Sequence, residues 1–468
     1  MRYFFLFSLF ILVKTQVNAQ SPQGELHGNL QVDAQYYQED SIIGAVVPNE
    51  RLASNAFANL IYTKGEFSAG LRYESYLPAL QGFSPQYDGV GIPFRYASLN
   101  EEQFSITVGN FYEQFGSGLV FRSYEERGLG YDNAMDGVQL RYTPVHNLIV
   151  KGVIGKQRKY FAKGEGVVRG LDGELILNDW LDTLGISKLN VSIGGSFVSK
   201  YQSDQSSIYN LPENVASFAG RTTISGSKFR IYSEYAYKIN DPSANNEFIY
   251  KPGTAFITQL SYFQRGFGLS VDLKRIDNMS YRSEREATLA DVLINYIPSF
   301  TRQHTYNLLA TLYPYATQLN GEMAAQAEMG FKLKRNSLLG GKYGTNVLIN
   351  FSVVHGLDTT IVNDSQTDRT GYTASLTGLG EKYFQDFNVE VTKKWSKKIK
   401  TILTYANITY NKDVIEGKTG YGLVHANIAI ADISYKLQSK HTLRTEVQSL
   451  FTKQDASNKL RPLRAYKF

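Results

Sequence analysis

An alternation of apolar and polar side chains runs through most of this 468-residue chain and is first met at Glu25–Tyr37, ELHGNLQVDAQYY. Leu26, Gly28, Leu30, Val32, Ala34 and Tyr36 take one side of an extended backbone, and His27, Asn29, Gln31, Asp33 and Gln35 take the other. Successive side chains of a strand point to opposite faces, so a period of two means a β-strand with one apolar and one polar face. The run is long enough for a tilted membrane-spanning strand, which needs roughly nine to eleven residues.

The pattern recurs. Phe67, Ala69, Leu71 and Tyr73 alternate with Ser68, Gly70, Arg72 and Glu74, and Phe267, Leu269, Val271 and Leu273 alternate with Gly268, Ser270, Asp272 and Lys274. In Glu322–Lys334, Met323, Ala325, Ala327, Met329, Phe331 and Leu333 oppose Glu322, Gln326, Glu328, Lys332 and Lys334. Leu443, Thr445 and Val447 oppose Arg444, Glu446 and Gln448 near the end.

A soluble antiparallel sheet shows the same alternation, with its polar face in water. Three features point to the membrane instead. Tight turns, such as those at 64–65, 144–147, 225–228 and 264–266, alternate with long polar connections, as in outer-membrane barrels. Thirty-three Tyr and twenty-seven Phe beside two Trp suit strands whose ends carry aromatic girdles. Helical periodicity is scarce, the charged patch Tyr281–Asp291 being its best candidate. The expected fold is all-β: a large antiparallel transmembrane β-barrel of about twenty or more strands. The alternation of short and long connections slips between Asp277 and Thr345, where Asp291–Ile297 and Tyr306–Tyr313 are candidate strands.

The first twenty residues, MRYFFLFSLFILVKTQVNAQ, carry Arg2, an apolar run from Tyr3 to Val13 and a small-residue close at Ala19. That is the pattern of a secretory signal peptide, residues 1–19, cleaved after Ala19. Residues 20–468 are then the barrel, and the expected location is the bacterial outer membrane. Its lipid is one expected partner, and the barrel-insertion machinery is another during biogenesis. The tail, residues 454–468, reads as irregular because Pro462 removes a ladder donor and Arg461, Arg464 and Lys467 crowd the segment. A reading frame cut or shifted there is one expectation drawn from it.

A net charge of +6, or +4 without the leader, makes no electrostatic case for nucleic acid. The lack of cysteine excludes thiolate metal sites, cysteine nucleophiles and disulfides. The six histidines stand singly, and no HExxH, P-loop or GxSxG elbow is present, so neither an enzyme nor a cofactor is expected.

The segment Ile106–Val138, ITVGNFYEQFGSGLVFRSYEERGLGYDNAMDGV, together with Thr301–Gly321 and Gly340–Thr345, resembles an uncharacterised family of Bacteroidota outer-membrane β-barrels. The resemblance implies location and porin-like architecture. It brings no substrate and no site residues.

The connection between strands at Phe104–Val108 and Met135–Thr143 is rich in glycine and aromatics, which allow sharp bends and supply packing area. Folded inward, it would form a constriction loop with Glu113, Arg122, Tyr124, Glu125, Glu126, Arg127, Asp132 and Asp136 facing the lumen. By the period-two count Arg72, Glu74, Arg141, Glu234, Asp272, Lys274, Glu328, Lys332, Arg444 and Glu446 line the lumen wall. Both signs are mixed, which argues against strong anion or cation selectivity. The expected function is a porin-like channel for passive diffusion of small polar solutes. The alternative is a non-conducting barrel that serves as scaffold in a secretion or surface-assembly complex.

Overall fold

A computed structural model describes residues 24–454, apart from 43, 187 and 363–368, together with the strand 461–467. The expected signal peptide and Phe468 lie outside the described residues. The chain divides at Gly109 into two compact units.

The first unit is a meander of β1 (Glu25–Tyr36), β2 (Leu52–Lys64), β3 (Phe67–Tyr76), β4 (Gly89–Asn100) and β5 (Phe104–Phe111), whose last two residues belong to the second unit. Each strand from β1 to β4 pairs antiparallel with the next. Alternation sorts their faces as the sequence leads one to expect. Arg72, Glu74 and Tyr76 turn to the buried side with Ala53, Asn55 and Phe57, while Leu60 and Leu71, register partners, stay exposed. The Tyr76 ring stands edge-on to Phe57 at 5.8 Å and 4.9 Å from Tyr87.

The second unit opens with two miniature ladders, β6 (Glu113–Gln114) with β7 (Arg122–Ser123), and β8 (Glu125–Glu126) with β9 (Tyr131–Asp132). A long antiparallel meander follows: β10 (Met135–Val145), β11 (Leu148–Lys159), β12 (Ala162–Ile176), β13 (Asn190–Tyr201), β14 (Asn214–Ser225), β15 (Phe229–Lys238), β16 (Gly253–Gln264) and β17 (Phe267–Asp277). It continues through β18 (Gly321–Leu333), β19 (Thr345–Ile361), β20 (Tyr372–Lys394), β21 (Ile399–Asn411), β22 (Leu423–Lys436), β23 (Thr442–Gln454) and β24 (Arg461–Lys467). Every consecutive pair in this run is antiparallel.

The register lines up apolar rows on the outward face. One row runs Phe331, Val347, Val391, Leu403, Ala431 and Val447 across six strands, and the next runs Met329, Ile349, Val389, Tyr405 and Ala429 across five. On the reverse face of the same strands Glu322, Asn350, Asp386, Asn388, Asp432 and Gln448 are buried. A soluble sheet places its charges outward; this one does the opposite.

The slip between Asp277 and Thr345 has a simple origin. Residues 278–320 form one long connection between β17 and β18, and neither candidate strand there belongs to the sheet. Asp291–Ile297 is irregular, and Tyr306–Tyr313 contains a short helix, Asn307–Leu312. Apolar residues in both are buried against other parts of the chain, which gives them strand-like composition without a place in the sheet; Leu293 makes an isolated antiparallel bridge with Arg282. The charged patch Tyr281–Asp291 is not helical either. The tail reading is corrected in part: Arg461–Lys467 pairs with β23, with Pro462 opposite Phe451. A residue's N–H serves only one neighbouring strand, so proline removes at most one ladder bond.

Lipid contact on the outward face predicts that Phe351→Arg on β19 costs about 2–4 kcal/mol near the bilayer midplane, read as a lower urea midpoint for folding into liposomes. Asn346→Arg, on the opposite face near the strand end, should leave that midpoint almost unchanged.

Candidate functional site

The glycine-rich stretch is a small hairpin laid on the inner face of the sheet. Between β6 and β7 the Phe115 N–H donates to the Phe121 carbonyl at 3.0 Å and the Gly118 N–H to the Phe115 carbonyl at 2.9 Å. The bend uses left-handed backbone at Gly116 and Gly118, with φ of 53° and 101°. A Cβ at Gly116 would sit 2.6 Å from Glu234 Oε1 on β15, so close approach as well as φ demands glycine there. The Ser117 N–H and hydroxyl donate to Glu234 Oε2 at 2.9 and 2.5 Å, and the Tyr232 hydroxyl donates to the same oxygen at 2.5 Å. Phe115, Leu119, Val120 and Phe121 are fully buried, with the two rings 5.0 Å apart. Burying each phenylalanine contributes about 1.5–3 kcal/mol, so this core holds the loop against the wall.

The second inward segment is residues 278–320. The Arg122 N–H donates to the Ile294 carbonyl and the Tyr296 N–H to the Gly118 carbonyl, so the two segments pair with each other. Asn133 and Asn295 cross-link them through the carbonyls of Leu293 and Leu119. The Arg122 guanidinium lies between the rings of Tyr124 and Tyr296, at 4.2 and 4.1 Å.

From there residues 278–320 touch strand after strand. The Tyr281 hydroxyl donates to the Val215 carbonyl of β14, and the Lys274 ammonium of β17 donates to the Pro298 carbonyl. Arg302 reaches Asn388 and Glu390 on β20, His304 reaches Asp386, the Tyr306 hydroxyl donates to Asp432 on β22, and the Leu308 N–H donates to Gln448 on β23. One apolar cluster runs from Val153 on β11 to Leu450 on β23 and includes Met279, Tyr281, Ile294 and Leu309. Thirteen strands at roughly 4.8 Å spacing cover an arc of about 58 Å. The cluster follows the segment 278–320 along that arc, so one connection is packed on the inner face of most of the strands of this unit.

The charges read as constriction groups are mostly engaged in ion pairs. Glu113 meets Lys151 at 2.9 Å, Glu125 meets Arg127 at 3.0 Å, Asp132 meets Arg158 at 2.6 Å and Asp136 meets Lys163 at 2.7 Å. Glu126 is exposed. Burial pushes the Tyr124 phenol up, against the pull of Arg122.

The wall residues divide in the same way. Arg72 and Glu74 form a buried pair at 2.6 Å in the first unit. In the second unit Lys274 pairs with Glu322 at 2.5 Å, and Arg444 bridges Asp432 and Glu446 at 2.7 and 2.9 Å. Asp272 and Glu328 are half-buried; Arg141 and Lys332 are exposed.

Sequence reasoning places Lys238, Lys274, Asp386 and Glu390 on the lumen face but misses the residues of 278–320 that bind the wall, and among the wall groups it misses Lys200, Arg221 and Asp432. Lys200 and Lys238 share Asp241 beneath the Tyr281 ring, and Arg221 joins Asp172 to Glu174. Period two placed such charges inside but offered nothing about their partners. The one available signal was the density of charge and aromatic rings in the failed helix at Tyr281–Asp291. Among the described residues no cluster of three or more His, Asp or Glu is suited to a metal ion.

A long antiparallel meander, apolar outward and charged inward, with loops folded onto its inner face, is the architecture of the large β-barrel class. The chain belongs to a family of unknown function, DUF6029, which it matches over residues 1–468. No curated protein matches it. Among solved structures it is similar to the outer membrane protein OprD from Pseudomonas aeruginosa, at 11% identity over 92% of this chain and 93% of that one, with a TM-score of 0.36. It is also similar to a BenF-like porin from Pseudomonas fluorescens Pf-5, at 11% identity over 95% and 98%, TM-score 0.38. Likeness of this degree carries no residue role from those proteins to this one.

Replacing Glu234 with alanine leaves three donors without their acceptor, at about 1–3 kcal/mol. Tryptic cleavage after Arg122 should then be roughly tenfold faster or more, with the sheet intact by circular dichroism.

Proposed function

We propose that this protein is an outer-membrane β-barrel channel of porin-like kind, through which small polar solutes diffuse past two inward-folded segments. The observation that carries the reading is the reversal of faces: rows of half-buried to exposed Met, Ile, Val, Leu and Phe outside, charged side chains inside. Lipid accepts the first and water the second. Residues 113–134 and 278–320 act together as the constriction. Polar and charged side chains at their edges, including Glu126, Arg302 and His304, set what passes. Mixed signs favour weak charge selectivity. Passage in this reading needs neither cofactor nor turnover; outer-membrane lipid and the insertion machinery are the partners.

The apolar cluster shared by both segments favours a second reading, in which they seal the lumen and the barrel serves as a scaffold. Planar-bilayer recording separates the two. The channel reading predicts discrete conductance steps from the purified protein. Arg122→Ala, which removes the cation held between Tyr124 and Tyr296, should give larger or noisier steps because docking loses about 1–2 kcal/mol. A folded, inserted preparation that carries no current would favour the scaffold.

A further inference from the structure

Three connections at one end of the second unit, together with the strand ends that flank them, are strongly basic. Residues 332–344 contain four Lys or Arg, residues 393–400 contain five and residues 436–440 contain two, with no Asp or Glu in any of them. Among the described residues none of these cations has a carboxylate partner. The Lys436 N–H donates to the Lys398 carbonyl, which brings two of the connections together, and Lys393 donates to the Leu339 carbonyl of the third.

These cations lie among exposed apolar side chains. Leu338 is 97% exposed, and Leu339, Trp395 and Leu437 are also exposed, with the Lys393 ammonium 4.3 Å from the Trp395 ring centre. Above them, on the outward face of β20–β23, an apolar groove of about 480 Å³ is bounded by Val391, Leu403, Tyr405 and Val447, with the small side chains of Ala429 and Ala431 between them. Lys393 stands two residues beyond Val391 on the same strand and the same face, about 7 Å away. Along the strand direction the apolar trough gives way to Lys393, then to Trp395, with Lys397 and Lys398 in the turn beyond, an apolar region bordered by an interfacial ring and positive charge.

We propose that this corner binds an anionic phospholipid, with one acyl chain in the groove and the phosphate on Lys393, Lys397 and Lys398. The proposal rests on the reading that the outward face meets lipid. It is more specific than a general annulus, because it requires negative charge and a chain-sized trough at one place.

The test compares nanodiscs of phosphatidylglycerol with nanodiscs of phosphatidylcholine, counting by native mass spectrometry the lipid that stays on the protein after transfer to detergent. The wild type should retain phosphatidylglycerol at least fivefold over phosphatidylcholine. The triple variant Lys393→Gln, Lys397→Gln, Lys398→Gln should lose that preference, and Ala429→Leu, which fills the trough without changing charge, should lower retention. Equal retention of the two lipids by the inserted wild type, or undiminished retention in either variant, overturns the proposal alone. Competition by poly-glutamate with no retained lipid marks an acidic protein as the occupant and also overturns it. A chain that enters neither nanodisc sinks the membrane reading itself.

Discussion

Backbone amides in hydrocarbon have no water to bond, so a strand that crosses a bilayer must find its partners in neighbouring strands along its whole length. The long antiparallel meander from β10 to β24 meets that constraint with paired ladders that shift register at irregularities in β10–β11, β11–β12 and β19–β20. The rest of the molecule follows from it. Once the strands are paired, each has two faces to assign, and a period of two assigns them. Rows such as Met329, Ile349 and Val389 then face one medium, while Glu322, Asp386 and Asp432 face another.

The inner face poses the opposite problem. Charges such as Asp172, Asp241 and Asp386 are buried, and a buried charge is costly unless it is paired and hydrogen-bonded. Much of the pairing comes from the segment 278–320: His304 reaches Asp386, Tyr306 reaches Asp432, and Tyr281 sits over Lys200 and Lys238. The loop and the wall are thus one electrostatic unit. Changing the contents of the lumen also changes the partners of wall charges that would otherwise be solvated.

The two inward segments are held by different physics. Residues 113–134 rely on a left-handed bend at Gly116 and four fully buried apolar side chains, while Arg302, His304 and Tyr306 rely on charge-assisted contacts to β20 and β22. Apolar burial is little affected by salt at moderate concentration, whereas partly exposed ion pairs are screened. The Arg302–Glu390 pair is therefore screened more than the nearly buried His304–Asp386 pair, and the most exposed pair of the first segment, Asp136–Lys163, more than either.

Strand identity and face were legible in the sequence because period two is a local property: Leu403 and Tyr405 point outward whatever lies beyond them. Glycine at 116 and 118 announced a sharp bend for the same reason. The long connection 278–320 defeated that logic. Its apolar residues are buried by strands far away in the chain, so Asp291–Ile297 and Tyr306–Tyr313 carry strand-like composition with no ladder to join. Nor could local pattern pair Ser117 with Glu234 or Arg302 with Glu390, separations of 117 and 88 residues. The sequence alone determined which side chains share a face. Only the tertiary structure decided what packs on that face, because the fold brings together residues that no short-range period relates.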